Sequence, residues 1–546
     1  MTTPGHPSDA PAPGQGLGPT EADAPIDTDA LARLAVEMFN ESIGRPVPGA
    51  VEPPSPHLGG WAPPGHPYLD PGSWGAAGWP GMPSAEFAFL EVPGVGTGPR
   101  GDSVAGLDTV SGLQRETQST SPAFYFVEAE RQGVAPPATD GFFDVERVRR
   151  DFPILSESVN GHRLVWFDNA ATTQKPQVVI DRLAHYYARE NSNVHRGAHE
   201  LAVRSTDAYE TARDTVARIL GASSSKEIVF ARGTTEAINL VAHSWGARNL
   251  GEGDEVIVSH LEHHANIVPW QHITAAKGAH LKVIPVDDDG QVILEEFANL
   301  LSPRTRMVAV AHVSNALGTI VPVAEIVKMA RTVGARVLVD GAQSVAHMRI
   351  NVQEMDPDFF VFSGHKVFGP TGIGALWGKA DVLADMPPWQ GGGNMIRDVT
   401  FERTFYADPP DRFEAGTGNI ADAVGLAASL EYLERLGIEN VNRYEHELLR
   451  YAIDALGTVP GLRLIGTAPD KASVLSFVLE GFAPEAVATV LDQHGIAVRA
   501  GHHCAQPILR RFGLEATVRP SLALYNTHGE VDRLASVLTE LARRGQ

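Results

Sequence analysis

Between residues 227 and 377 the sequence alternates short apolar runs with amphipathic segments, and this rhythm limits the chain to very few folds. Runs of buried-strand type occur at 227–231, 256–260, 307–313, 336–340, 359–363 and 373–377. Several are continuously apolar rather than alternating, as in strands covered on both faces. Segments of helical period accompany them, and one over 208–220, just before the first run, closes on Gly221. A βαβ rhythm of this kind predicts an α/β fold with a mostly parallel sheet and helices on both faces.

Past about residue 421 the rhythm changes. A helix leads to a strand at 474–479, a helix at 484–492, a short strand at 497–499 and a last helix from 530. These predict a smaller α+β domain over 421–546, following a stretch over 141–420 that holds the large domain and the N-terminal segment of the small one.

The first 140 residues are of another kind. They hold 17 acidic side chains against 5 basic ones, with no lysine, so more than half of the chain's net charge of −22 lies there. Pro and Gly make up about 30% of this stretch without a period, which predicts a disordered arm. Apolar islands interrupt it. Leu31, Leu34, Ala35, Met38 and Phe39 form a helical stripe; Trp61, Trp74 and Trp79, then Phe87 and Phe89, then Phe124 to Phe126 form clusters. Such islands either fold back on the body or dock on a partner.

The acidic balance argues against nucleic-acid binding. The sequence has no apolar run long enough for a membrane helix and no secretory leader at Met1. Its single cysteine, Cys504, cannot form an intrachain disulfide and suits a reducing cytoplasm.

In an open α/β sheet, ligands bind beyond the carboxyl ends of the strands. Chemically useful residues recur at those positions. After 227–231 comes Arg232-Gly-Thr-Thr-Glu236, where Thr235 at a helix start suits a phosphate, although a capping box would look similar. After 256–260 come His263 and His264. Their spacing is not that of a zinc protease, and no metal is expected; an imidazole facing a planar cofactor is the better reading. The strand 336–340 ends on Asp340, with Gln343 following, and a buried carboxylate there needs a cationic partner. The next strand runs into Ser363-Gly-His-Lys366. An amine able to form a Schiff base, together with an acid for a pyridinium nitrogen, is the signature of pyridoxal phosphate. Cys504 lies in Arg499-Ala-Gly-His-His-Cys504. Taken alone it reads as a small buried hydrophobe, but cationic neighbours of that kind favour the reactive thiolate.

From about Phe142 onward the chain resembles the SUF-type (group II) cysteine desulfurases, within the fold-type I pyridoxal-phosphate enzymes. The resemblance rests on FDNAATTQKP, RGTTEAINLVA, EHHANIVPWQ, HVSNALGT, VDGAQ, FVFSGHKVFGPTGIG, RFEAGT, GIAVRAGHHCAQP and SLALYNTH. It implies that Lys366 holds the cofactor and moves protons, Asp340 pairs with the ring nitrogen, His263 stacks on the ring and Gln343 bonds its oxygen. Thr235, Ser363 and His365 would bind the phosphate, with Thr417 reaching in from the second subunit of a homodimer. Asn315 and Arg519 would hold the substrate carboxylate, with His195 and Arg499 in the pocket. Cys504 would take the substrate sulfur as a persulfide, release alanine and pass the sulfur to an acceptor protein. Two departures, Gly418 for the family's proline and Gln390 for its glutamate, lie where a partner would approach.

The acidic arm in turn resembles the cargo-loading segments of desulfurases packed in encapsulin shells, which would place this chain inside such a compartment. The competing readings are a selenocysteine lyase, an aminotransferase (which would leave Cys504 idle) and an inactive scaffold acting through its arm.

Overall fold

The computed structural model describes residues 143–195 and 197–544. The arm, with its helical stripe and aromatic islands, lies outside the described residues.

Seven strands form the central sheet: β1 (Ile228–Ala231), β2 (Glu255–Ser259), β3 (His280–Ile284), β4 (Thr305–Ala311), β5 (Arg336–Asp340), β6 (Phe359–Ser363) and β7 (Gly374–Gly378). Their order is β1-β7-β6-β5-β4-β2-β3. Neighbours from β6 through β3 pair in parallel, whereas β7 runs antiparallel to both β1 and β6. The predicted mostly parallel sheet is thus present, with one reversed strand.

The side chains of each strand divide between two apolar layers. Ile257, Val308, Val310, Val337, Val339, Phe360 and Phe362 point into one core; Val256, Val258, Met307, Ala309, Leu338, Phe359 and Val361 point into the other. This period of two explains the continuous apolar runs, because both faces of these strands are buried. Helices α1 (Gln177–Arg189) and α2 (Glu200–Leu220) precede β1 in the chain, and α3 (Thr234–Val241) follows it. Helix α2 begins eight residues before the expected start, capped by the His199 ring, and ends on Gly221 in the left-handed conformation at φ 69°.

A second sheet joins β8 (Leu462–Ile465), β9 (Ser476–Leu479), β10 (Arg499–Gly501) and β11 (Thr517–Arg519) in the order β8-β9-β11-β10, all antiparallel. Its core includes Phe477, Val518, Leu491 and Leu534. The expected strand at 497–499 is divided in two: Ile496–Ala497 pairs in parallel with Val165–Trp166, and Arg499 opens β10. Among the described residues no helix is long and apolar enough to cross a membrane.

Candidate active site

Five strands deliver the site from one end of the central sheet. Ala231 closes β1, Ser259 β2, Ala311 β4, Asp340 β5 and Ser363 β6. The turns that follow carry Thr235, His263, Asn315, Gln343 and Lys366, and all five line one cleft with Asp340, Ser363 and His365. The second sheet supplies the opposite wall: Arg499, His503, Cys504 and Arg519. Eleven of the thirteen residues singled out in the sequence therefore meet there.

His195 and Thr417 are not brought to this cleft within one chain. His195 is exposed, with Nε2 3.0 Å from Glu210 Oε1. Thr417 is exposed and donates to Asn193 Oδ1 at 3.4 Å.

The start of α3 is built for an anion. Gly233, at φ 148°, precedes the helix and has no side chain of its own to cap it. Ser363 Oγ accepts the Thr234 N–H at 2.9 Å and lies 2.8 Å from Thr234 Oγ1. A Cβ on Gly233 would come within 3.1 Å of Ser363 Oγ, so glycine lets strand end and helix start approach. Helix N-terminal amides beside hydroxyls suit a phosphate.

The floor is charged and buried. Asp340 is 5% exposed, and its Oδ1 accepts the Ala342 N–H at 2.9 Å. Burial raises its pKa, against the effect of that bond and of Lys366. Burial also pulls the Lys366 amine down to about 8, although Asp340 acts in the opposite sense. A substantial share of this amine is therefore neutral, and nucleophilic, near neutral pH. His263 is pulled down to about 3 by burial first and then by Lys366, so its ring is neutral. Its Nδ1 accepts the Ala265 N–H at 3.0 Å, which leaves the ring proton on Nε2. Gln343 donates from Nε2 to the Ala170 carbonyl at 2.7 Å. The His365 carbonyl accepts the Thr173 N–H at 3.0 Å and the Thr172 hydroxyl at 3.1 Å, fastening the 167–176 segment onto the lysine turn. This donor set fits pyridoxal phosphate: an amine, a buried acid, a neutral ring and a phosphate cradle face one space.

Arg519 is 2% exposed and donates to the Asn315 carbonyl at 3.0 Å and to Asp168 Oδ1 at 3.2 Å. Among the described residues, Arg519 Nε and Asn315 Oδ1 are buried without a hydrogen-bond partner. An orphaned guanidinium N–H in a cleft is an open place for a carboxylate. Asp168 went unnoticed in the sequence because only the fold brings it, from position 168, to Arg519 and to Arg499 at 3.8 Å.

Cys504 sits on a strained turn. It and His503 both adopt left-handed backbone, at φ 54° and 53°. External contacts hold them there: the Cys504 carbonyl accepts the His264 N–H at 2.8 Å, His503 Nε2 lies 2.8 Å from Thr517 Oγ1, and Asn315 Nδ2 donates to the His503 carbonyl at 2.7 Å.

Residues 165–534 match the aminotransferase class-V family. The chain is 66% identical over 399 residues to a cysteine desulfurase of Synechococcus elongatus, a match covering 73% of this chain and 64% of that protein. This chain thus spans less than two thirds of that relative's length. It is 50% identical over 402 residues to a cysteine desulfurase of Dickeya dadantii, covering 73% of this chain and 97% of that protein. The solved structure of the cysteine desulfurase CsdA from Escherichia coli is similar at a TM-score of 0.69 and 39% identity, covering 74% of this chain and 99% of that one.

Proposed function

We propose, from the premise that this chain belongs to the cysteine desulfurases of the aminotransferase class-V family, that it converts L-cysteine to L-alanine and retains the sulfur as a persulfide on Cys504. One observation carries this reading: Lys366, Asp340, Arg519 and Cys504 line a single cleft. Pyridoxal phosphate, when bound, supplies an electron sink next to the substrate Cα.

The chain's own residues account for the rest. Lys366 holds the cofactor and then moves a proton at the substrate Cα. Asp340 would keep the ring nitrogen protonated, and His263 and Gln343 would hold the ring. The α3 amides, Thr235, Ser363 and His365 take the phosphate. Arg519 and Asn315 orient the substrate carboxylate, with Arg499 at the rim. Cys504 Sγ attacks the substrate sulfur: the S–S bond forms as the Cβ–S bond breaks, Cβ becomes the methyl of alanine, and the cysteine retains the persulfide.

The finer parts of the proposal are a SUF-type enzyme acting in the cytoplasm as a homodimer, with Thr417 and His195 completing the partner's site and an acceptor protein collecting the sulfur. We take 141–420 as the cofactor-binding domain and 421–546 as the domain bearing the nucleophile. Residues 1–140 serve as a docking arm for an encapsulin shell, on the strength of their acidic, Pro/Gly-rich composition with aromatic islands.

The test is release of alanine and sulfide from L-cysteine with a reductant. Wild type should be active, and Lys366→Ala and Cys504→Ala inactive. Full activity in Cys504→Ala would overturn the persulfide route. For the arm, loss of shell association on deleting 1–140 is expected, and unchanged association refutes it.

A further inference from the structure

Immediately before His263 lies a carboxyl that the mechanism does not use. Glu262 is 0% exposed. Its Oε1 accepts the Ser259 hydroxyl, from the end of β2, and the Ala311 N–H at 3.0 Å, from the end of β4. Its Oε2 accepts the Asn266 side-chain N–H at 2.7 Å, and Asn266 in turn accepts the Trp270 indole N–H at 3.0 Å. Three elements thus converge on one carboxyl directly beneath the cleft, two of them strands whose ends form its floor. Asp340 is close enough to act on it electrostatically: burial pushes Glu262 up to about 7, and the Asp340 charge adds to the rise.

We propose that Glu262 is a positioning residue for the cofactor: it ties the His263 turn to the ends of β2 and β4, so that His263 and Asp340 meet the ring in a fixed relation. This rests on the cleft binding pyridoxal phosphate. A buried group with all its hydrogen bonds made is costly to disturb and holds its partners in one arrangement. In Glu262→Gln the new amide N–H would face a donor in either orientation, the Asn266 side-chain N–H or the Ala311 N–H, so one of these bonds is lost.

The experiment compares the holoenzyme of wild type, Glu262→Gln and Ser259→Ala. The readouts are the visible absorption and circular dichroism of bound pyridoxal phosphate, its dissociation constant and the melting temperature. Glu262→Gln is expected to weaken cofactor binding by about tenfold and to diminish the visible dichroic band, because the rigid support of the first contacts is lost. Ser259→Ala, which leaves two of the three bonds, changes both in the same direction and by less; it carries the test if Glu262→Gln does not fold. A lowered melting temperature with unchanged dichroism and affinity in both variants overturns the inference. A wild type with no visible band instead refutes the cofactor reading itself, so the two failures are distinguishable.

Discussion

The backbone N–H of His264 donates to the carbonyl of Cys504 at 2.8 Å, joining the turn beyond β2 to the turn that bears the nucleophile. A second contact repeats the link, for the Gln506 N–H donates to His264 Nε2 at 3.3 Å. The wall that holds the cofactor and the wall that holds the thiol are thus joined through one histidine.

Replacing His264 by alanine removes only the second of these contacts. The cysteine turn loosens while the cofactor contacts stay in place. Sulfide release is expected to fall about tenfold, as for a misplaced reacting group, with the visible cofactor spectrum unchanged. Steady-state assay alongside absorption spectroscopy checks this.

Lys366 makes a pH prediction. Only the neutral amine captures a carbonyl, and the group titrates near 8. The neutral share is about a tenth at pH 7 and about half at pH 8. Capture of added pyridoxal phosphate by cofactor-free protein should therefore quicken about fivefold between pH 7 and 8, then level off above pH 9. Stopped-flow growth of the visible band measures it; a rate still climbing at pH 10 means an unperturbed lysine. The folded value lies below the usual 10.5, so between these two values the unfolded chain binds more protons at this site. The lysine's contribution to the stability of the cofactor-free protein therefore rises with pH across that window.

Asp168 holds Arg519 at 3.2 Å without lining the cleft. Asp168→Asn keeps the size and removes the charge. KM for cysteine should rise about tenfold with little change in cofactor binding, since one partner of a buried charge pair is worth a few kcal/mol. Arg519→Lys, lacking the two-pronged geometry, is expected to do more.

The most exacting stability test lies away from the cleft. Arg213, 1% exposed, meets both oxygens of Glu414 at 2.6 and 3.0 Å, and Glu414 also accepts the Phe230 N–H at 2.7 Å. Glu414→Gln leaves a buried guanidinium with Glu210 alone as its counter-charge. A loss of about 3 kcal/mol in denaturant unfolding is expected.

The sequence displayed the strands whose ends build the cofactor wall, because burial on both faces writes them as continuous apolar runs. Strand β3 was missed for the opposite reason: it lies at the sheet edge, with His280 and Val283 exposed, so its pattern is broken. Strand β8 carries an exposed Arg463 within its four residues, and β11 is only three residues long, so neither writes an apolar run. The residues that line the cleft were legible because each follows such a strand or belongs to a dense motif. Asp168 and Glu262 were not, because their work is done through partners far along the chain: Arg519 for one, Ala311 for the other. Thr417 and His195, which the resemblance assigned to the site, lie outside the cleft of this chain.

The two consecutive left-handed residues at His503 and Cys504 bear on any attempt to move this chemistry elsewhere. A non-glycine pair in that conformation is held by its surroundings, not by its own preference. Here the surroundings are His264 from one wall, Thr517 from β11 and Asn315 from the turn beyond β4. A peptide copied from 499–507 into another scaffold would relax and turn its thiol aside. The nucleophile is a property of three distant segments, and a designer who wants it must transplant all of them.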